Sequence, residues 1–86
     1  KDIIIEPNEK QKFAPDLLKK SAPKSIANLE VIKIETLDGI RYQLANNAWG
    51  LIRCSGTEPL VRIYAEATTK TKVNSILESL QKICEK

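Results

Sequence analysis

The sequence contains no histidine and no methionine. The absence of histidine removes the commonest general acid or base and the commonest metal ligand. Because the chain begins at Lys1 and has no methionine, we expect a processed product or a piece of a longer chain. No apolar run approaches the roughly 20 residues needed to cross a bilayer, so we expect no membrane partner.

Cysteine and aspartate are also scarce. The chain has two cysteines, Cys54 and Cys84, without CxxC or zinc-ligand spacing, so they form neither a disulfide framework nor a zinc site. A reduced, cytoplasmic setting follows. Its three aspartates, Asp2, Asp16 and Asp38, are scattered. We therefore expect no metal and no cofactor bound by this chain itself.

The remaining composition is that of a small soluble domain. Hydrophobic residues make up 42% and charged residues 29% of 86 residues, which is too short a chain for a deep enclosed cleft. Lys and Arg number 14 against 11 Asp and Glu, so the net charge is +3. That charge suits an anionic ligand without requiring one.

Local patterns in the first third of the chain predict a strand and a helix. The apolar run Ile3–Ile5 is either a first strand or the end of a linker. Asn8 and Gln11 have the spacing of a helix capping box. Pro15 either kinks that helix or lies in the first turn of the main helix.

The rest of the chain alternates in the manner of strands and ends in a helix. Strands are predicted at 28–36, 40–45, 48–53 and 60–67, with turns at Asp38-Gly39 and Asn46-Asn47. Apolar residues at helical spacing predict a last helix, capped by Thr68 or Thr69: Val73, Ile76, Leu77, Leu80 and Ile83. The sequence therefore predicts an α+β domain, an antiparallel sheet of about four strands with two helices packed on one face.

The loop between the last two strands reads Arg-Cys-Ser-Gly-Thr-Glu-Pro at residues 53–59. Gly56 allows the backbone to turn, so the N–H groups of Ser55, Gly56 and Thr57 can converge on an anion. Arg53 can add a bidentate guanidinium fork. The residues alone allow two interpretations, a plain hairpin connection of small polar residues and a phosphate-binding loop.

Two roles are open for Arg62, namely a second phosphate ligand and an ion-pair partner of Glu66. We expect Trp49 to be a core or interface ring rather than a platform for a sugar, and Arg41 to be a surface residue. Two other functions remain as alternatives, a small basic nucleic-acid-binding module and a docking domain whose loop is inert. The chain lacks the paired sheet aromatics usual in RNA-binding sheets.

The stretch 49–67, with its Arg-Cys-Ser-Gly-Thr-Glu-Pro loop, resembles the C-terminal domain of the α-D-phosphohexomutases, which are phosphoglucomutases, phosphomannomutases and phosphoglucosamine mutases. The upstream Leu37-Asp38-Gly39 with Arg41 also fits this family. Cys54 stands where the family signature usually has proline. The resemblance covers residues 29–86 well and 1–28 loosely. It divides the chain into a linker or first strand with the first helix (1–28) and a phosphate-binding C-terminal domain (29–86).

The resemblance implies a TBP-like fold and a role in intramolecular phosphoryl transfer. In this family the domain holds the non-reacting phosphate while a hexose 1-phosphate and 6-phosphate interconvert. By that likeness Arg53, Ser55, Gly56 and Thr57 contact the phosphate of glucose, mannose or glucosamine phosphate. The catalytic residues and Mg²⁺ belong to other domains of the same enzyme, so we expect this chain alone to be inactive. No nucleic-acid partner is implied.

Overall fold

The structure is a computed structural model that describes residues 2–4, 13–37, 39–54 and 60–85. Its strands and α-helices are β1 (Asp2–Ile4), α1 (Pro15–Lys20), β2 (Ser25–Ile26), β3 (Leu29–Glu35), β4 (Ile40–Leu44), β5 (Trp49–Cys54), β6 (Leu60–Glu66) and α2 (Lys70–Glu85). Each predicted strand of the central and C-terminal part is present within one or two residues of its predicted ends.

The strands form one antiparallel sheet in the order β1-β6-β5-β4-β3-β2. The predicted α+β class is confirmed. About four strands were predicted, and the sheet has five strands of at least three residues plus β2, which has only two. The first strand adds to the sheet by pairing with β6, so Asp2 lies opposite Arg62 in the backbone register.

Two tight turns set the register of the hairpins. Asn46 and Asn47, between β4 and β5, have φ of 61° and 62°, and Ala27 and Asn28, between β2 and β3, have φ of 52° and 64°. Positive φ at both central residues gives the turn twist that matches paired strands. Asparagine tolerates this conformation, whereas alanine is strained in it. The turn at Asn46-Asn47 was predicted, and the turn at Ala27 was not.

Each helix begins at or next to a residue type that is common at helix N-termini, proline for α1 and threonine for α2. α1 begins at Pro15, which decides between the two predicted roles of that proline. At the start of α2 the Lys72 N–H donates to Thr69 Oγ1 over 3.1 Å, so Thr69 is the cap. The predicted capping box at Asn8 and Gln11 lies outside the described residues. Neither helix in the described ranges is long and apolar enough to cross a bilayer.

The core lies between the two helices and one face of the sheet, called the inner face here. Its buried members include residues of both helices and of β4, β5 and β6: Leu18, Ile40, Tyr42, Leu44, Ile52, Val61, Ile63, Ile76 and Leu80. Gly50 lies where α2 crosses β5, and a Cβ there would be 3.1 Å from Leu80 Cδ1 and 3.2 Å from Ile76 Cγ2. The two helices therefore pack on one face, as predicted, and the outer face is left for polar side chains.

Tyr42 is the largest fully buried side chain, with 0% of its surface exposed. Its hydroxyl has no hydrogen-bond partner among the described residues. Burial, and secondarily the nearby Cys84 thiol, raises the pKa of Tyr42 to about 12. The Tyr42 hydroxyl is therefore desolvated on folding without gaining a hydrogen bond within the described part of the chain.

Candidate functional site

The β5–β6 hairpin places two arginines side by side at the sheet end from which residues 55–59 leave. Alternate residues of β5 face outward, so Ile52 is buried on the inner face while Arg53 is exposed on the outer face. In the register of β5 and β6, Arg53 lies directly opposite Arg62, which is also exposed. Two predicted site residues are thus brought together by strand pairing.

The ends of β5 and β6 that flank residues 55–59 pack against the core on the inner face. Cys54, half-buried against the core, lies opposite Val61, which is fully buried. This packing fixes the separation and direction of the strands where the loop begins and ends. Because the Cys54 side chain packs against the core, this position requires a small apolar residue.

The other predicted phosphate-binding residues, Ser55, Gly56 and Thr57, lie outside the described residues. Their converging N–H groups therefore stay a prediction.

The spacing along β6 argues against the ion pair between Arg62 and Glu66, one of the two roles left open for Arg62. Arg62 and Glu66 are four residues apart on one strand, which puts their Cα atoms about 13 Å apart. The Glu66 carboxylate is bonded elsewhere, because Trp49 Nε1 donates to its Oε2 over 3.2 Å. Arg62 lies opposite Arg53 in register, at the loop end of the sheet.

A polar network crosses the middle of the outer face. Arg41 Nη1 lies 3.2 Å from Glu35 Oε1 and donates to Gln43 Oε1 over 2.8 Å. The same guanidinium stacks on Trp49, with its Cζ 5.1 Å from the ring centroid. Arg41 is therefore a half-buried member of a network over several strands, where the sequence predicted only a surface residue.

A shallow depression of about 250 Å³ adjoins this network and is lined by Glu35, Leu37, Arg41 and Leu51. Sequence reasoning missed it, because its walls come from three separate segments. Within the residues described, no group of three or more His, Cys, Asp or Glu side chains has the arrangement of a metal site.

Comparison of the sequence with known proteins assigns the chain to a family. The family model "Phosphoglucomutase/phosphomannomutase, C-terminal domain" matches residues 7–83. A probable phosphoglucosamine mutase of Thermococcus gammatolerans is 39% identical over 90% of the chain and 16% of its own length. A phosphoglucosamine/phosphogalactosamine mutase of Sulfurisphaera tokodaii is 41% identical over 63% of the chain and 12% of its own length.

A phosphoglucomutase/phosphomannomutase of Thermococcus kodakarensis is 40% identical over 62% of the chain and 11% of its own length. The chain belongs to the phosphoglucomutase/phosphomannomutase family, of which it matches the C-terminal domain. The resemblance inferred from residues 49–67 is thereby confirmed. The chain spans about a sixth or less of the length of these relatives.

Proposed function

We propose that this chain binds the non-reacting phosphate of a hexose phosphate and forms one wall of a phosphohexomutase active site. The observation that carries the proposal is the register that sets Arg53 opposite Arg62 where residues 55–59 leave the sheet. Family membership supplies the reaction class, the interconversion of a hexose 1-phosphate and 6-phosphate. Positioning, rather than bond making, is the contribution of this chain.

The paired arginines suit a phosphate for an electrostatic reason. Two guanidinium groups in register at one end of the sheet give that end a positive potential, which favours an anionic ligand. A guanidinium also presents a planar fork that matches two phosphate oxygens. In this proposal Arg53 and Arg62 bind the phosphate from the outer face, and the loop residues Ser55, Gly56 and Thr57 bind it through backbone N–H and hydroxyl groups.

The rest of the proposed reaction belongs to other domains of the same enzyme. Those domains hold Mg²⁺ and the residues that transfer the phosphoryl group, and the protein works in the cytoplasm. The substrate is glucose, mannose or glucosamine phosphate. Two of the relatives described above bear the name phosphoglucosamine mutase, so glucosamine phosphate is the first substrate to test.

The test is a titration of the isotopically labelled chain, followed by amide chemical shifts. Glucosamine 1-phosphate is the ligand, and glucosamine without phosphate is the control. We expect shifts at residues 53–62 with the phosphate only, and a dissociation constant of roughly 1 mM, or about −4 kcal/mol, because one wall of the site is present.

Two arginine variants sharpen the test. Arg53→Ala is expected to weaken binding about tenfold or more, which corresponds to the loss of a charged hydrogen-bonding group. Arg41→Ala removes the same charge from the same sheet face, at the Glu35–Trp49 network, and is expected to change affinity by less than about twofold. Equal affinity of the wild-type chain and Arg53→Ala would contradict the proposal.

A further inference from the structure

Gly39 lies at the start of β4, beside the end of β5 that carries Arg53. Its φ is +77°, in the left-handed region that favours glycine. A Cβ built on Gly39 would lie 2.4 Å from the carbonyl oxygen of Ile52, 3.1 Å from Arg53 Cα and 3.2 Å from Arg53 Cβ. A residue with a Cβ at this position therefore requires a shift of either the residue itself or the end of β5.

The atoms that Gly39 approaches cannot move aside cheaply. Ile52 belongs to β5, which is paired on both sides, with Ile40 of β4 and Ile63 of β6. Its side chain is also buried in the core. A Cβ at residue 39 must be relieved by displacing either the β3–β4 turn or the last residues of β5. The shift needed to reach even 3.0 Å from the Ile52 oxygen is about 0.6 Å.

Where the last residues of β5 move, the base of the Arg53 side chain moves with them. Arg53 Cα and Cβ are the next nearest atoms to that added Cβ, so the same shift changes the direction of the Arg53 Cα–Cβ bond. Binding and catalytic groups generally need placement within about 0.5 Å. A shift of 0.6 Å at the base of a long side chain moves its guanidinium by at least as much.

We propose that Gly39 is a positioning residue, whose backbone fixes Arg53 in the orientation that binds phosphate. The proposal rests on the proposed function of Arg53 and adds a residue to it. Gly39 touches no ligand in this account. It acts by allowing the β3–β4 turn to pack directly against the strand end.

The matched variants are Gly39→Ala and Gly50→Ala. Both add one methyl group to a glycine of the sheet, but the Cβ at Gly50 meets the flexible ends of Leu80 and Ile76 on the inner face. Gly50→Ala therefore reports the effect of lower stability alone. Gly39→Asn is the third variant, because asparagine adopts positive φ readily and still carries a Cβ.

The first readout needs no ligand. In amide and arginine Nε–Hε spectra, Gly39→Ala and Gly39→Asn are expected to shift the Arg53 side-chain signal and the amides of Arg53 and Cys54. Gly50→Ala is expected to leave the Arg53 side-chain signal in place. The second readout is the dissociation constant for glucosamine 1-phosphate, expected to rise about tenfold in both Gly39 variants and less than about twofold in Gly50→Ala.

Each result has a distinct meaning. An unchanged Arg53 side-chain signal and affinity in folded Gly39→Asn would overturn the proposal, and so would equal losses of affinity in Gly39→Asn and Gly50→Ala. If Gly39→Ala does not fold, Gly39→Asn carries the test, since its φ is unstrained. If the Arg53 signal moves but the wild-type chain binds no phosphosugar, the proposed function fails and the positional role of Gly39 stands.

Discussion

Replacing Tyr42 by phenylalanine is expected to stabilise this protein, although most substitutions of buried residues destabilise. The ring is fully buried, and its hydroxyl has no hydrogen-bond partner among the described residues. Phenylalanine keeps the ring and removes only the polar atom. Leaving a buried polar group unpaired costs about 1–3 kcal/mol, so the free energy of unfolding is expected to rise by about 1 kcal/mol or more at neutral pH.

The same substitution changes the dependence of stability on pH. Burial raises the pKa of Tyr42 to about 12 from the usual 10.0, so the unfolded chain loses this proton first as pH rises. Because the unfolded state then binds fewer protons than the folded state, the free energy of unfolding falls between about pH 10 and pH 12. Near pH 11 this loss is about 1.4 kcal/mol in the wild-type chain, and Tyr42→Phe removes it.

The assay is urea denaturation followed by far-ultraviolet circular dichroism, at neutral pH and near pH 11. The difference between wild type and Tyr42→Phe is expected to grow by about 1.4 kcal/mol from the first pH to the second, while other titrating groups cancel. Tyr64→Phe is the control, because Tyr64 lies on the outer face and is 37% exposed. A loss of stability in Tyr42→Phe at neutral pH, or a difference that does not grow, would refute the reasoning.

Two further substitutions test the turn and the helix cap. Ala27→Gly is expected to raise the free energy of unfolding by about 0.5–1 kcal/mol in urea denaturation, because glycine relieves the strain of φ 52°. The backbone carbonyl of residue 27, which accepts from Lys72 Nζ at 3.0 Å, is kept in this variant. A loss of stability would show that the turn is not strained. Thr69→Ala is expected to lower stability by about 1 kcal/mol through loss of the cap on α2, with Thr68→Ala as control. Equal effects of the two threonine variants would contradict that assignment.

Local sequence signals were sufficient for most of the fold. The periodicity of the last helix, the proline at the start of α1 and the asparagine pair between β4 and β5 act through neighbouring residues, so the sequence shows them directly. The cap of α2 was predicted to within one residue, Thr69 being one of two candidates. The positions of β3 to β6 followed from the alternation of apolar and polar residues.

The features that the sequence did not predict depend on strand pairing between distant residues, or on a residue type that is rare in its backbone conformation. β2 is two residues long, and it is joined to β3 by an alanine at positive φ, which no sequence rule favours. The register of β3 shifts between Val31 and Lys33, so Val31 and Ile34 both lie half-buried and Ile32 is 62% exposed. Strict alternation cannot anticipate such a bulge.

In the candidate site, too, local motifs were predicted from the sequence and contacts made by strand pairing were not. Arg53 was predicted as a phosphate ligand from its place in the loop motif, and Arg62 was left between two roles. The register that sets Arg62 opposite Arg53 could not be predicted from the sequence. The network of Arg41 with Glu35 and Trp49 brings together residues from three strands. Its members are up to 14 positions apart along the chain, and only the pairing of strands shows that they meet.

The single tryptophan is an intrinsic fluorescent reporter on the outer face of the sheet. Trp49 is the only indole in the sequence, and it is half-buried on that face, between the Arg41 guanidinium and the Glu66 carboxylate. A molecule or domain that covers the sheet changes the hydration of this ring, whereas an anion held only at the strand ends of Arg53 and Arg62 leaves it in place. Steady-state fluorescence of the unmodified protein can therefore distinguish closure over the sheet from phosphate capture at its edge.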